Sequence, residues 1–402
     1  MQVSFTGAGG QPTVVESVAP RVVDHEQRSS SMTTAPESAA ADVPTETPVR
    51  LLVGAANFAG QGRLWAEAAA TLPEVAATSF SVGSSSLTVP AHHIVERDVF
   101  EDPVRSVEHE RWVRSFTHVL VEAGRPVTGT TRGKYAPGDV AALTEAGVVV
   151  GLVAHGSDVR RPDGHLRREP DSPFHHADDR TLTIRQAYAD LVAPLTDSAD
   201  WGFVSTPDLL DDVPHGRWLP VVVDVARWEA PTWQAPPPGE PLRVVHVPSD
   251  SFMKGTEQIE PALHRLSERG VIAYEPIRGV PQERMPQVVA GADVVLDQFA
   301  LGSYGVAAVE AMAAGRAVVG HVRDEVRGHV LATTGHALPI LQARAGEIEA
   351  VLVDLAENRH RLAEAAEEGP VFVSAVHDGR MSASVLADFL STGAVGRPDR
   401  EP

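Results

Sequence analysis

Apolar residues in this chain fall into short unbroken runs separated by stretches with helical spacing. Val49–Val53, Phe116–Val121, Val148–Val153, Trp201–Ser205 and Trp218–Val223 read as strands buried on both faces. Between them, Arg63–Leu72, Pro137–Ala146 and Thr183–Leu195 carry the period of amphipathic helices. A second series has strands at Leu242–Val247, Val271–Tyr274, Val294–Leu296 and Ala317–Gly320. Helices over Ala345–Glu367, charged on one face, and over Met381–Leu390 complete it. Strands alternating with helices predict an α/β chain of two Rossmann-like, doubly wound domains. Their facing surfaces make a cleft, the ordinary place for a ligand.

The punctuation sets the domain limits. Residues 1–47 are rich in Ser, Thr, Pro, Ala, Val and Glu without a sustained period, and read as a dispensable disordered tail. The first domain is expected over 48–228. A proline-rich linker follows over 229–241, with five prolines between Ala226 and Pro241. The second domain is expected over 242–390, and 391–402 reads as a frayed tail. No short internal repeat is visible.

Composition narrows the function. The 402 residues carry a net charge of −20 and no basic stripe, which argues against nucleic acid as a partner. Cysteine is absent, which excludes disulfides, thiolate metal sites and a cysteine nucleophile. The longest apolar run, Ala146–Ala154, is too short to span a bilayer, and no signal peptide is visible. A cytoplasmic protein is expected, with peripheral membrane contact left open. Arginine does nearly all the basic work; the only two lysines are Lys134 and Lys254.

The candidate chemistry starts at Gly302–Gly320: a glycine-bearing loop, a short apolar helix, a glycine stop and a buried strand. Glu310 is the one charge between Asp297 and Arg316. A carboxylate among Val309, Ala311, Met312 and Ala313 is costly to bury unless something hydrogen-bonds it. It reads as a ligand-holding group beside a loop whose amides face an anion. Lys254, just before a helix start, adds a cation where the helix dipole already favours anions. His155-Gly156-Ser157-Asp158 ends an apolar strand, where His155 can bind a sugar hydroxyl or relay a proton. Asp158 either orients that ring or caps the next segment, with a plain Asx-turn as the structural reading.

Other motifs carry less. Gly54, Gly60 and Gly62 do not make a dinucleotide fingerprint, but the loop leaves backbone open to a ligand, with Asn57 as a donor. His175, His176, Asp178 and Asp179 are bunched in one loop and do not spell a metal site. No nucleophile elbow of a serine hydrolase occurs.

Together these residues resemble the GT-B glycosyltransferases, specifically the family-4-like group (glycosyl transferases group 1), from about Val49 to Leu390. Phe299–Gly315 is similar to that family's nucleotide-sugar loop and helix. By that resemblance Glu310 is the second glutamate of an E-x7-E element and accepts hydrogen bonds from the ribose hydroxyls. Gly302, Ser303, Tyr304 and Gly305 would form the donor loop, with the amides of Tyr304 and Gly305 on the diphosphate or sugar. Lys254-Gly255 resembles the family's K-G, whose lysine neutralises the pyrophosphate. His155–Asp158 resembles its H-G-S-D element, and Ser205–Leu209 its S-T-P-D-L turn. Asn57, Gly60 and Gly62 would belong to an acceptor-side loop, with acceptor selectivity also in loops such as 163–179.

Two positions depart from the pattern. The first glutamate of E-x7-E falls at Gly302, and an expected arginine falls at Ser249; Arg63, Arg160 and Arg316 are the candidate substitutes. The resemblance implies a hexosyltransferase-type enzyme moving sugar from a nucleotide-sugar donor to a glycan, lipid or small-molecule acceptor, as in polysaccharide or glycoconjugate biosynthesis. It implies a retaining, metal-independent transfer with no cofactor. The alternatives are a catalytically degenerate GT-B accessory protein and a nucleotide-sugar epimerase.

Overall fold

The computed structural model describes residues 48–84, 89–248 and 250–393. The tail over 1–47, Ser249 and residues 394–402 of the second tail lie outside the described residues. Strands β1 (Val49–Gly54), β2 (Val75–Val82), β3 (His93–Val95), β4 (His118–Glu122), β5 (Val149–Ala154), β6 (Gly202–Val204) and β7 (Arg217–Trp218) form one sheet. Their order is β3-β2-β1-β4-β5-β6-β7. The second sheet holds β8 (Leu242–His246), β9 (Ile272–Pro276), β10 (Val294–Leu296), β11 (Ala317–Gly320) and β12 (Ile340–Gln342), in the order β12-β11-β10-β8-β9. The pairings are parallel, with Leu51 opposite His118 in the first sheet and Val294 opposite both Val244 and Ala317 in the second.

Helices cover both faces, so the central strands are apolar throughout: Leu51, Leu52 and Val53 are all fully buried. Strand order reverses between β1 and β4 in the first sheet and between β8 and β10 in the second. Loops leaving the carboxyl ends of those strands border the crevices where such sheets bind ligands. Phe58, Glu122 and His155 follow or end strands on one side; Lys254 and Asp297 follow strands on the other. The two lobes share a buried cluster in which Val204, Leu209 and Trp218 meet Tyr304, Val309 and Phe372.

Several elements differ from the expectation, each for a local reason. Strands β2, β3 and β12 had no unbroken apolar run to announce them. The expected strand Trp218–Val223 pairs only at Arg217–Trp218. Pro220 has no N–H to give a ladder. Beyond it the backbone of Val222 is clasped by the Gln61 side chain, which donates to its carbonyl and accepts from its amide at 3.0 and 2.7 Å. The expected helix over Ala345–Glu367 is two helices, Ile348–Glu357 and His360–Val376, broken at Asn358. The Asn358 amide donates back to Asp354, an alternative to continuing the helix. Gly369 lies so close to the Val306–Ala313 helix that a Cβ there would come within 2.9 Å of the Met312 carbonyl.

The C-terminal boundary also moves. The helix Arg380–Ser391 leaves the second lobe and buries Leu386, Phe389 and Leu390 against Val49, Leu51, Trp65 and Leu120 of the first. Among the described residues no helix is long and apolar enough to cross a membrane.

Candidate functional site

On the second lobe, β8 runs into the one-turn helix Ser251–Lys254, capped by Asp250, whose carboxylate accepts from the amides of Phe252 and Met253. Gly255 ends it with a left-handed φ of 73°, and a Cβ there would press on Ala300 at 3.0 Å. That turn tucks Lys254 inward to 9% exposure, with its Nζ donating to Asp297 Oδ1 at 2.8 Å. Asp297 Oδ2 accepts from the Gly305 amide at 2.9 Å. The lysine and amide expected to face a diphosphate therefore share an internal carboxylate instead. Removing Lys254 alone would strand Asp297, which is 1% exposed, so that variant tests the fold as well as the site.

Glu310 lies near this pair on the Val306–Ala313 helix, the first turn of which follows Gly305. Among the described residues its hydrogen-bond partner is Gln282, whose amide donates to Oε1 at 3.0 Å. Burial pushes its pKa up to about 7, against the milder pull of Gln282, Arg227 and Lys254. It opens on a cavity of about 280 Å³ between the lobes, which Ala59, Arg63, Val223, Arg227 and Gln282 also line. A larger groove of about 460 Å³ lies behind the linker, against Trp233 and Arg316. Lys254, Asp297 and Glu310 do not line it, and the Arg316 guanidinium there is occupied by carbonyls of Ala290, Pro231, Ala314 and Gly315. Glu310 lines the smaller cavity, which is therefore the candidate site.

On the first lobe, Glu122 ends β4 fully buried and organises three segments. Its carboxylate accepts from the amides of Ala56 and Asn57 at 3.0 and 2.9 Å and from His155 Nε2 at 3.1 Å. With Nε2 donating, His155 Nδ1 keeps its lone pair. The ring stands against Phe58 and Trp65, both centroids 5.2 Å away. Asp158 takes neither expected role: its carboxylate accepts the amides of His155 and Gly156, which precede it in the chain, and Glu122 orients the imidazole in its place.

Asn57, expected to donate to a ligand, is 5% exposed and holds its own loop. Its amide group donates to the Val89 carbonyl, and its Oδ1 accepts the Arg63 amide. Gly60 adopts φ 77° beside Val89, and a Cβ on Gly62 would come within 2.8 Å of Glu122. Both glycines shape the loop without forming an open ligand surface.

The Gly302–Gly305 loop, expected to meet the donor, is pinned by contacts between the lobes. Ser303, expected to meet the donor, is 2% exposed and donates to Asp208 at 2.6 Å. Asp208 also takes Arg160 at 2.5 Å. Burial raises the Asp208 pKa, but Arg160 and the Ser303 and Thr206 hydrogen bonds outweigh it and hold it below the ordinary range. Tyr304 is buried; His377 donates through Nδ1 to the Val221 carbonyl, so its Nε2 accepts the tyrosine hydroxyl. Gly302 has a φ of 67°, and a Cβ there would meet Arg323 at 2.6 Å and Glu169 at 2.8 Å.

Glu169 belongs to the 163–179 segment expected to read an acceptor, which instead packs on the second lobe. His321 Nε2 donates to it at 2.8 Å and Arg344 at 2.9 Å; Arg344 also bridges to Asp171. Gln342 fixes the imidazole: its Oε1 takes the Val322 amide and Arg327, leaving its NH2 for His321 Nδ1. Burial alone would raise the Glu169 pKa, yet these partners bring it to about 2. Glu169, Asp171 and His321 are the one trio of metal-ligand type gathered among the described residues, and Arg344 already bridges its carboxylates. The His175–Asp179 bunch does not gather: Asp178 caps a helix through the Thr181 amide.

Of the candidate replacement cations, Arg63 lines the Glu310 cavity, where it pairs with Glu67 at 2.7 Å, whereas Arg160 and Arg316 are held elsewhere. Arg227, which sequence reasoning missed, lines it too. Glu122 and Asp297 were also missed, although each is the lone carboxylate ending an apolar strand, the same signal that marked Glu310.

No family model matches this sequence, and no curated protein matches it. Solved structures do. HepE from Anabaena, in complex with UDP and glucose, aligns over 85% of this chain and 99% of its own at 13% identity and TM-score 0.53. Sucrose-phosphate synthase from Thermosynechococcus elongatus aligns over 85% and 98% at 13% identity and TM-score 0.54. The fold is GT-B. The Glu310 cavity takes its lining from both domains, with Ala59, Arg63 and Val89 from the first and Gln282, Val306 and Glu310 from the second.

Proposed function

We propose that this chain is a glycosyltransferase that binds a nucleotide-sugar in the Glu310 cavity and passes the sugar to an acceptor held by the first lobe. The observation that carries this reading is Glu310 itself, a half-buried carboxylate whose one hydrogen-bond partner among the described residues is the Gln282 amide, on a cavity that Arg63 and Arg227 also line. Ribose hydroxyls are donors of the kind such a group lacks. The family-4-like motifs and the UDP bound by HepE support the same class of ligand.

In this reading the bond from the anomeric carbon to the diphosphate breaks and its electron pair leaves with the nucleotide. Lys254 and the start of the Val306–Ala313 helix stabilise that charge without a metal, once the diphosphate competes with Asp297 for them. A new bond forms to the acceptor oxygen on the retained face, and His155 Nδ1 is the lone pair placed to take the acceptor proton.

Thermal unfolding with UDP-, GDP-, ADP- and dTDP-sugars tests it. One nucleotide at about a hundred times its dissociation constant should add about 2.7 kcal/mol, and Glu310→Ala should abolish the gain. A second reading, a non-catalytic GT-B subunit, is favoured by Asp297 already occupying Lys254 and the Gly305 amide. It predicts no shift with any nucleotide, and that result would overturn the transferase reading.

A further inference from the structure

Four non-glycine residues among those described adopt a left-handed backbone: Asn57, Ala59, Glu74 and Ala123. Three of the four sit in the loops just past β1 and β4. Such a conformation costs about 1–2 kcal/mol for a residue with a Cβ and persists only where its surroundings enforce it. Here Glu122 and the Asn57 side chain enforce the first loop, and the Tyr188 hydroxyl, donating to the Ala123 carbonyl, enforces the second.

The two loops present Phe58 and Arg125. Phe58 is 42% exposed despite its size, edge-on to His155. The Arg125 guanidinium stands 4.7 Å from its ring centre. Arg125 is exposed, and among the described residues no carboxylate pairs with it, in a chain of net charge −20. Further along the same rim Tyr188 stacks on Tyr135, ring centres 5.1 Å apart, and Lys134 lies 5.5 Å from the Tyr135 ring. Arg125 also acts electrostatically on the Tyr188 hydroxyl, which ties the two halves of the rim together. Aromatic faces suit the apolar C–H faces of sugar rings, and unpaired guanidinium and ammonium groups suit carboxylate or phosphate.

We propose that this rim of Phe58, Arg125, Lys134 and Tyr135 is the acceptor subsite and selects an anionic saccharide, one carrying a carboxylate or a phosphate. This rests on the glycosyltransferase reading and adds the class of acceptor. His155, in contact with Phe58, places the proton-accepting nitrogen beside the bound sugar.

The test is calorimetric titration of the full chain with three probes: p-nitrophenyl β-D-glucuronide, p-nitrophenyl β-D-glucoside 6-phosphate and neutral p-nitrophenyl β-D-glucoside. At least one anion should bind about tenfold tighter than the neutral probe, and R125Q should erase that preference. Phe58→Ala should weaken all three. Which anion wins separates carboxylate from phosphate. Equal binding, no binding, or an anion preference unchanged in R125Q overturns the proposal. Nucleotide-induced thermal shifts are recorded on the same samples. A retained shift without anion preference removes the acceptor inference alone, whereas loss of the shift removes the transferase reading.

Discussion

Glu310 and Glu169 are both carboxylates inside this protein, and their surroundings drive them in opposite directions. Glu169 has an imidazole N–H, a guanidinium and the Asp171 amide on it, and its pKa falls to about 2. Glu310 has one amide among the described residues, and its pKa rises to about 7. Burial acts on both, so partner count decides the sign. A carboxylate whose lone pairs are filled internally is part of the frame that joins the lobes. One left short of donors is held ready for donors from outside.

The largest expected effect comes from breaking the satisfied member. Glu169→Ala leaves His321 and Arg344 facing an empty position and should cost about 3 kcal/mol in urea unfolding at pH 7. A loss under about 1 kcal/mol would place Glu169 with weak surface pairs.

Next comes the pH dependence, where the two groups have opposite signs. Glu310 binds its proton more tightly folded than unfolded. Its contribution is full below its ordinary value of 4.5 and is lost as pH rises to about 7. That loss amounts to about 3 kcal/mol, and Glu310→Gln should remove it. Glu169 contributes above 4.5, and that contribution is lost as pH falls towards 2. Parallel stability curves for wild type and Glu310→Gln between pH 4.5 and 8 would contradict the assignment.

Smallest is Ser303→Ala, which deletes one hydrogen bond between the lobes while Arg160 keeps Asp208 paired. It should cost about 1 kcal/mol. An unchanged melting curve would show the Gly302–Gly305 loop to be held by Tyr304 and packing alone.

The sheet and the helix of the second lobe were legible because parallel strands announce themselves as unbroken apolar runs. Val294–Leu296 and Ala317–Gly320 are found where the pattern put them. Strand β2 was not legible, since Ala, Thr and Ser dilute its run, nor was the Asn358 break inside a helical period. At the site, single polar residues in apolar surroundings marked Glu310 and His155. What occupied their neighbours was beyond reach, because Asp297 on Lys254 and Asp208 on Ser303 are contacts between residues 43 and 95 positions apart. Neither role expected of Asp158 holds, because Glu122, 33 positions from His155, takes the imidazole and Asp158 ties the amides that precede it.

The crossing of the Arg380–Ser391 helix has a consequence for how the chain is made. The first lobe emerges first from the ribosome, yet the cover of its Val49–Trp65 face stays incomplete until Leu386, Phe389 and Leu390 have been synthesised. The second lobe, later in the sequence, has its own sheet complete by then. A nascent chain stalled before residue 380 therefore holds a finished C-terminal sheet beside an N-terminal one with an open apolar side. Quality control would meet this protein at that stage.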